Sequence, residues 1–295
     1  MVTAATDSER VLRAVNLFYE ENPFPGFDVT KYKTRDDLLR QASWWARKLD
    51  AEIAFDSDVI DVGCGTGQLA CLLGLKGRRV VGVDYSQHSL DLATSLRDKF
   101  HLTNVQFQRE NILDLSLPDA SFDYVFCNGV LHHTSDPYGG FRHLVRIARP
   151  GAFIVVGLYN TYGRLMLHAR RRWVRLRLRF DPRAKERALK KQLVRMENDQ
   201  EKLRTWWADQ YEHPHESTHT VDEVLGWFAR NGVSYVSSFP RIELFSASEV
   251  EKVFKPRRSG RTANNAVAHV LVQMGWIITQ NDGGGYFVIV GQKAA

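Results

Sequence analysis

The run Val59-Ile60-Asp61-Val62-Gly63-Cys64-Gly65-Thr66-Gly67 constrains this chain more than any other stretch, because an apolar strand enters a corner with glycine at alternate positions and an amphipathic segment, Gln68 to Leu75, leaves it. Glycine accepts positive φ and leaves bare main chain where a side chain would collide with a ligand. Strand, glycine corner and helix in that order form a nucleotide-type ligand loop. A second apolar run, Arg79 to Val83, ends in Asp84, placed to take hydrogen bonds from a ribose diol. The third glycine is Gly67 and Gln68 follows it, so the spacing is GxGxG and not the GxGxxG of dinucleotide sites. Such a loop need not seat a pyrophosphate on the next helix. The ligand implied is a nucleoside without phosphates.

Around the loop, apolar runs alternate with amphipathic segments. The patterning predicts strands at 58 to 62, 79 to 83, 104 to 108, 122 to 127 and 152 to 157, with helices at 68 to 75, 88 to 99 and 137 to 147. That alternation makes a parallel sheet wrapped on both faces. Before it, Ser8 to Glu21 has helical spacing and Asn22-Pro23-Phe24-Pro25-Gly26 must break it, since neither proline continues a helix. Thr34 and Asp37 resemble a capping box for a helix through Leu49, whose Trp44-Trp45 pair suggests packing on a neighbour. After Leu158 a helix ending at Pro182 shows Met166, Ala169, Trp173, Leu176 and Phe180 on one face amid arginines, and a second helix runs from Arg183 to Trp207. Thr220 with Glu223 reads as a capping box for Val221 to Arg230, then a strand at Val233 to Ser238 and a helix at Ala263 to Met274.

At 295 residues and 44% apolar content, one core with appendages is the expectation. Three cysteines, an odd number without pairing pattern, argue against a disulfide framework. The start, Met1 to Arg10, lacks an apolar run and no stretch is long and apolar enough to span a membrane, so a cytoplasmic protein is expected. The basicity is local. Residues 164 to 205 hold 15 Lys or Arg and 5 Asp or Glu, a net of +10 against +6 for the whole chain, which leaves −4 for the rest.

Four segments carry a resemblance to class I S-adenosylmethionine-dependent methyltransferases: DVGCGTG (Asp61 to Gly67), VVGVDYS (Val80 to Ser86), ENILDLSLPDASFDYVFCNGVLHH (Glu110 to His133) and HLVRIARPGAFIVV (His143 to Val156). They cover about a third of the chain, and their order is as specific as their residues. The closest flavour is that of small-molecule, quinone-ring methylating enzymes. Asn111 stands where Asp is frequent in the family, and Arg149-Pro150-Gly151-Ala152 has one glycine where two are common. The resemblance implies an α/β, Rossmann-like sheet of seven strands, mostly parallel, with Tyr286 to Val290 as an antiparallel last strand. To this the chain adds an N-terminal helical cap (1–50) and a basic helical lid (161–214) between the core (51–160) and its completion (215–295). It further implies S-adenosylmethionine as cofactor, held by Gly63, Cys64, Gly65 and Gly67 with Asp61 orienting its amino-acid end. Asp84 would take the ribose, Tyr85 the adenine face, Asn111 and Ile112 the adenine edge, and Asn128 and Gly129 would line the methyl donor.

His132 and His133 follow the fourth strand, where an acceptor would arrive. Either they include a general base or they shape the pocket by packing and hydrogen bonding. His215-Glu216-Ser217-Thr218-His219 matches HExxH, a zinc motif that requires one continuous helix. Pro214 before it and a cap at Thr220 after it favour a loop, and no metal is assigned. Tyr19, Tyr211, His213 and His219 are candidates to face the substrate. The basic segment reads as a solvated lid face, as a grip for an anionic or lipid-like acceptor or an acidic membrane surface, or as a nucleic-acid contact, the last disfavoured because no RNA-binding module accompanies it. The function expected is methyl transfer to a small or lipid-like acceptor. The alternatives are an RNA methyltransferase and a non-catalytic cofactor-binding partner subunit.

Overall fold

A computed structural model describes residues 6–26, 28–180, 200–242, 252–255, 265–279 and 285–295. Seven strands form one sheet: β1 (Asp58–Val62), β2 (Arg79–Asp84), β3 (Val105–Arg109), β4 (Phe122–Asn128), β5 (Ala148–Tyr159), β6 (Val233–Phe239) and β7 (Tyr286–Lys293). Their order is β3-β2-β1-β4-β5-β7-β6, and every pair is parallel except those of β7, which runs antiparallel to β5 and β6. The expected seven-stranded plan with an antiparallel last strand is the observed one.

The sheet is buried on both faces, which is why its strands read as continuous apolar runs and not as alternating ones. Ile60, Val62, Val125 and Ile289 turn to one side, against Phe141, Leu144, Trp227 and Phe228. Val59, Phe126, Val155 and Val288 turn to the other, against Leu49, Leu72, Leu73 and Leu96. The helices that supply these faces are α3 (Trp44–Glu52), α4 (Gln68–Gly74), α5 (Gln87–Lys99), α6 (Pro137–Ile147) and α9 (Val221–Arg230). Each fully buried Leu or Phe contributes about 1.5–3 kcal/mol through the apolar surface it removes from water.

Several local expectations need correction. The predicted helix through Leu49 is two helices, α2 (Arg35–Gln41) and α3, because Ala42 is extended and the Ser43 hydroxyl starts a new helix by accepting from the Ala46 amide at 3.1 Å. The Thr34–Asp37 capping box is present. Thr220 caps α9 through the Glu223 amide at 3.2 Å, but the Glu223 carboxylate turns to His219 Nδ1 at 2.9 Å and leaves the box half formed. α10 (Ala266–Thr279) extends past Met274, and α1 spans Asp7–Glu21. Pro182 and the first part of the helix expected at 183 to 207 lie outside the described residues; α8 (Gln200–Trp207) is its end.

α7 (Leu165–Phe180) leaves β5 as expected, and its arginines divide in two. Arg164, just before it, and Arg171 turn inward and both pair with Glu216. Met166, Trp173 and Leu176, from the predicted apolar stripe, are all exposed. No helix among the described residues is long and apolar enough to cross a membrane.

Candidate active site

All parallel strands end on one edge of the sheet, and there the chain encloses a cavity of about 550 Å³. Its floor is the glycine corner. Gly63 and Gly65 have φ of 74° and 50°, and a Cβ on residue 65 would lie 2.1 Å from the Phe24 carbonyl oxygen. The close neighbour that demands glycine at this position is therefore the Asn22–Gly26 turn, which also takes the Thr66 hydroxyl on the Pro25 carbonyl at 2.9 Å. Asp84 closes the corner: its carboxylate accepts from the Gly65 amide at 2.8 Å and from the Ser86 amide at 2.9 Å. Carboxylate oxygens hold two lone pairs each, so acceptor capacity for a diol is left over.

α1 forms the roof through Val11, Leu12, Val15, Asn16 and Tyr19. It is latched by Glu20, whose carboxylate accepts from the Gln87 amide at 2.6 Å, at the positive end of α5. The walls hold Asp61, Cys64, Tyr85, Asn111, Ile112, Asn128, Gly129 and His133, so most of the expected residues converge. Five do not reach the wall, His213 among them. Gly67 is the N-cap of α4, His132 is fully buried behind Tyr159, Tyr211 stacks on Trp207 at 4.1 Å, and His219 is committed to Ser217 and Glu223. His213 packs beneath His133 with ring centroids 3.7 Å apart. The HExxH segment is not helical: Glu216 serves Arg164 and Arg171, and His215 Nε2 donates to the Thr134 carbonyl at 3.1 Å.

The lining carries four carboxylates, Asp61, Asp84, Glu110 and Asp209, and among the described residues no Lys or Arg. Burial, and then the charge of Asp84, pushes the Asp61 carboxyl up to about 7. Burial also raises Asp84, against the pull of the Ser86 and Gly65 amides. Neutral imidazoles meet these acids, since burial lowers His133 to about 4 and His213 to about 3. Taking charged groups out of water is costly unless an opposite charge joins them, so the cavity is built for a ligand that carries positive charge.

Sequence reasoning missed the far wall. Asp209, on the π turn Ala208–Glu212, accepts from Tyr159 at 3.0 Å, from Gln210 at 2.7 Å and from Tyr19 at 3.3 Å. Tyr286, at the start of β7, joins the lining, and burial raises its hydroxyl and that of Tyr159. No local pattern marks these residues; they meet because β5, β7 and the return from the basic segment end at the same rim.

A bound S-adenosylmethionine fits this donor set. Asp61 could meet its cationic end and Asp84 its ribose, and the buried Asn128 Oδ1, without a hydrogen-bond partner, offers an unused acceptor. Asn111 can meet an adenine edge, although its Oδ1 already accepts from the Leu113 amide at 3.0 Å. Arg109, which lies 5.1 Å from the centre of the Tyr85 ring, holds that ring at the mouth.

Comparison with known proteins accords with the fold. Residues 60–156 match the model of a methyltransferase domain family. The chain is 31% identical over 110 residues to the uncharacterized methyltransferase YcgJ of Bacillus subtilis, covering 37% of this chain and 44% of that protein. It is 29% identical over 169 residues to the ubiquinone biosynthesis O-methyltransferase of Hahella chejuensis, covering 50% and 68%. The chain spans about half the length of most of the curated relatives it matches. Among solved structures, PKMT2 from Rickettsia typhi in complex with AdoHcy superposes with a TM-score of 0.59 at 17% identity, over 91% of this chain and 54% of that one. An S-adenosylmethionine-dependent methyltransferase from Mesorhizobium loti gives 0.51 at 16%, over 86% and 100%.

Proposed function

We propose, from the premise that this chain belongs to the class I S-adenosylmethionine-dependent methyltransferases, that it transfers a methyl group to a small, neutral, hydroxyl-bearing or lipid-like acceptor and releases S-adenosylhomocysteine. The observation that carries this reading is the cavity with four carboxylates and no described basic side chain, at the strand ends beside the glycine corner. When bound, S-adenosylmethionine supplies an electrophilic methyl group on a sulfonium. The chain's own residues then align and exclude water, which is most of what an in-line displacement requires. Asp61 and the main chain at Gly63 and Gly65 would hold the amino-acid end, Asp84 the ribose, and Tyr85, Asn111 and Ile112 the adenine.

His133 faces the acceptor space. Its Nδ1 lies 2.9 Å from the His215 carbonyl, which can only accept, so the proton sits on Nδ1 and Nε2 presents a lone pair to the cavity. A neutral imidazole so oriented can take a proton from an acceptor hydroxyl. His132 has no such access and serves as packing behind Tyr159. The acidic lining disfavours an anionic acceptor, and the Hahella relative's name, an O-methyltransferase of ubiquinone biosynthesis, points the same way toward oxygen on an apolar ring.

A lipid-like acceptor is further favoured by the outer surface. α7 exposes Leu165, Met166, Trp173 and Leu176, and α10 exposes Val267, Leu271, Met274 and Ile278, while α10 has no charged residue. Together with the net charge of the segment around α7, these faces suit contact with an anionic bilayer. The RNA alternative is weakened because Arg164 and Arg171 are consumed by Glu216. Calorimetric titration with S-adenosylmethionine, followed by isotope-labelled methyl transfer into extracted metabolites, tests the proposal. A folded protein that binds no cofactor overturns it, and binding without transfer to any acceptor favours the partner-subunit alternative.

A further inference from the structure

Two lone-pair groups face each other in the wall of the cavity. His133 Nε2, whose ring proton is committed to the His215 carbonyl on the other side, stands 3.9 Å from Asp209 Oδ1. Both residues are buried. Asp209 receives only neutral donors, Tyr19, Tyr159 and Gln210, and among the described residues pairs with no Lys or Arg. His213 completes the group. One nitrogen from each imidazole and one Asp209 oxygen all lie within 4.8 Å of one another, and His213 Nε2 is buried without a hydrogen-bond partner.

We infer that His133, Asp209 and His213 bind one divalent first-row transition ion. Two imidazoles and a carboxylate are the ligand set that such ions take when coordination positions are left open. The surroundings are those of a metal site as well. A ligating histidine donates its other N–H to a carbonyl, as His133 does to His215, and a ligating carboxylate is itself held by hydrogen bonds, as Asp209 is by Tyr159 and Gln210. Ligand atoms around such an ion stand about 3–3.5 Å apart given bonds of about 2.0–2.2 Å, so the group must close slightly. His213 has a small rearrangement to make. Its Nδ1 now accepts a long 3.2 Å bond from the His215 amide, and ligation through either ring nitrogen gives that bond up.

His133 and Asp209 line the cavity, so the open positions of the ion face it. An acceptor with two adjacent oxygens, a hydroxyl beside a second hydroxyl or a carbonyl, would chelate there. With the ion bound, the His133 Nε2 lone pair is spent on it and the ion activates the acceptor hydroxyl in place of the imidazole base; this role rests on the methyl-transfer reading, and the ion site does not.

The test uses chelator-treated full-length protein, titrated with Co(II) followed by its visible absorption and with Zn(II) by calorimetry, beside a separate titration with S-adenosylmethionine. One ion per chain is expected, with affinity falling at least about tenfold in both Asp209→Asn and His213→Gln. Native circular dichroism shows that both variants are folded. Protein that binds the cofactor but neither ion overturns the inference. So does ion binding that both variants leave unchanged, and so does protein with native circular dichroism that binds neither cofactor nor ion. Ion binding that the variants abolish, in protein that takes no cofactor, upholds the site and removes the methyl-transfer reading.

Discussion

The carbonyl oxygen of Phe24 occupies the place where a side chain on residue 65 would begin: a Cβ there would stand 2.1 Å from it. The N-terminal turn is thereby fitted to the ligand loop, and the cap is part of the site. Gly65→Ala meets both that backbone clash and a φ of 50°, which side chains adopt at a cost of about 1–3 kcal/mol. A lowered Tm together with loss of cofactor binding is expected. An alanine variant that melts and binds like the parent would refute the arrangement of cap on loop.

Asp84 bonds the Gly65 and Ser86 amides and is the only acid at the end of β2. Hydrogen bonds to a charged partner contribute about 1.5–3 kcal/mol, so Asp84→Ala should weaken S-adenosylmethionine about ten- to hundredfold in a calorimetric titration. Equal affinity in the variant would move the ribose elsewhere.

Asp61 sets a pH dependence. Its folded carboxyl is raised to about 7 from an ordinary 3.8, so the folded state binds the proton more tightly than the unfolded chain. The stability this gives is complete below about pH 4 and is lost as pH rises to about 7, at roughly 1.4 kcal/mol for each pH unit crossed. Asp61→Asn cannot ionise and should be the more stable protein at pH 8, by an amount that shrinks toward pH 5, while binding the cofactor less tightly. Urea titrations at the two pH values decide. A variant less stable than the parent at pH 8 contradicts the reading.

Binding a cation beside Asp61 should lower its pKa again and release a proton near pH 6. Calorimetry in buffers of different ionisation enthalpy measures this directly. Heats that do not depend on the buffer would show that the cationic end of the cofactor lies away from Asp61.

Glu216 holds two guanidiniums, that of Arg164 buried and that of Arg171 partly so. Burial alone would raise its carboxyl, but Arg164 and Arg171 together keep it below the ordinary range. Glu216→Gln leaves that charge uncompensated and should cost about 3–5 kcal/mol. In the parent the same stability is present above the ordinary Glu range and lost as pH falls through the lowered value. An unchanged denaturation midpoint in the variant would mean the pair is solvated.

Much of the fold was legible because its signals are local. Apolar runs gave the strands, glycines at alternate positions gave the corner at Gly63 to Gly67, and Thr220 marked the start of α9. Asp61, Asp84, Tyr85, Asn111 and Asn128 could be placed through the family resemblance because each sits at or just beyond the carboxyl end of a strand, and strand ends share one edge. The break between α2 and α3 was not legible, since Ala42-Ser43 carries no proline or glycine; only the Ser43 cap reveals it. Tyr211 and His219 looked like substrate contacts by position, but the turn of the chain gave them to Trp207 and Glu223.

Sequence by itself determined the sheet, its ligand loop and the kind of ligand, because those depend on periodicity and on residues at fixed distances along the chain. Tertiary structure alone decided which residues meet around Asp209. Tyr19, His133, Tyr159, Asp209 and His213 come from the cap, two strand ends and the return from the basic segment, and Tyr19 and Asp209 are separated by 190 positions. No spacing rule links such residues. What joins them is the cost of leaving a buried carboxylate without partners, which is met only once all these segments have packed onto the same rim.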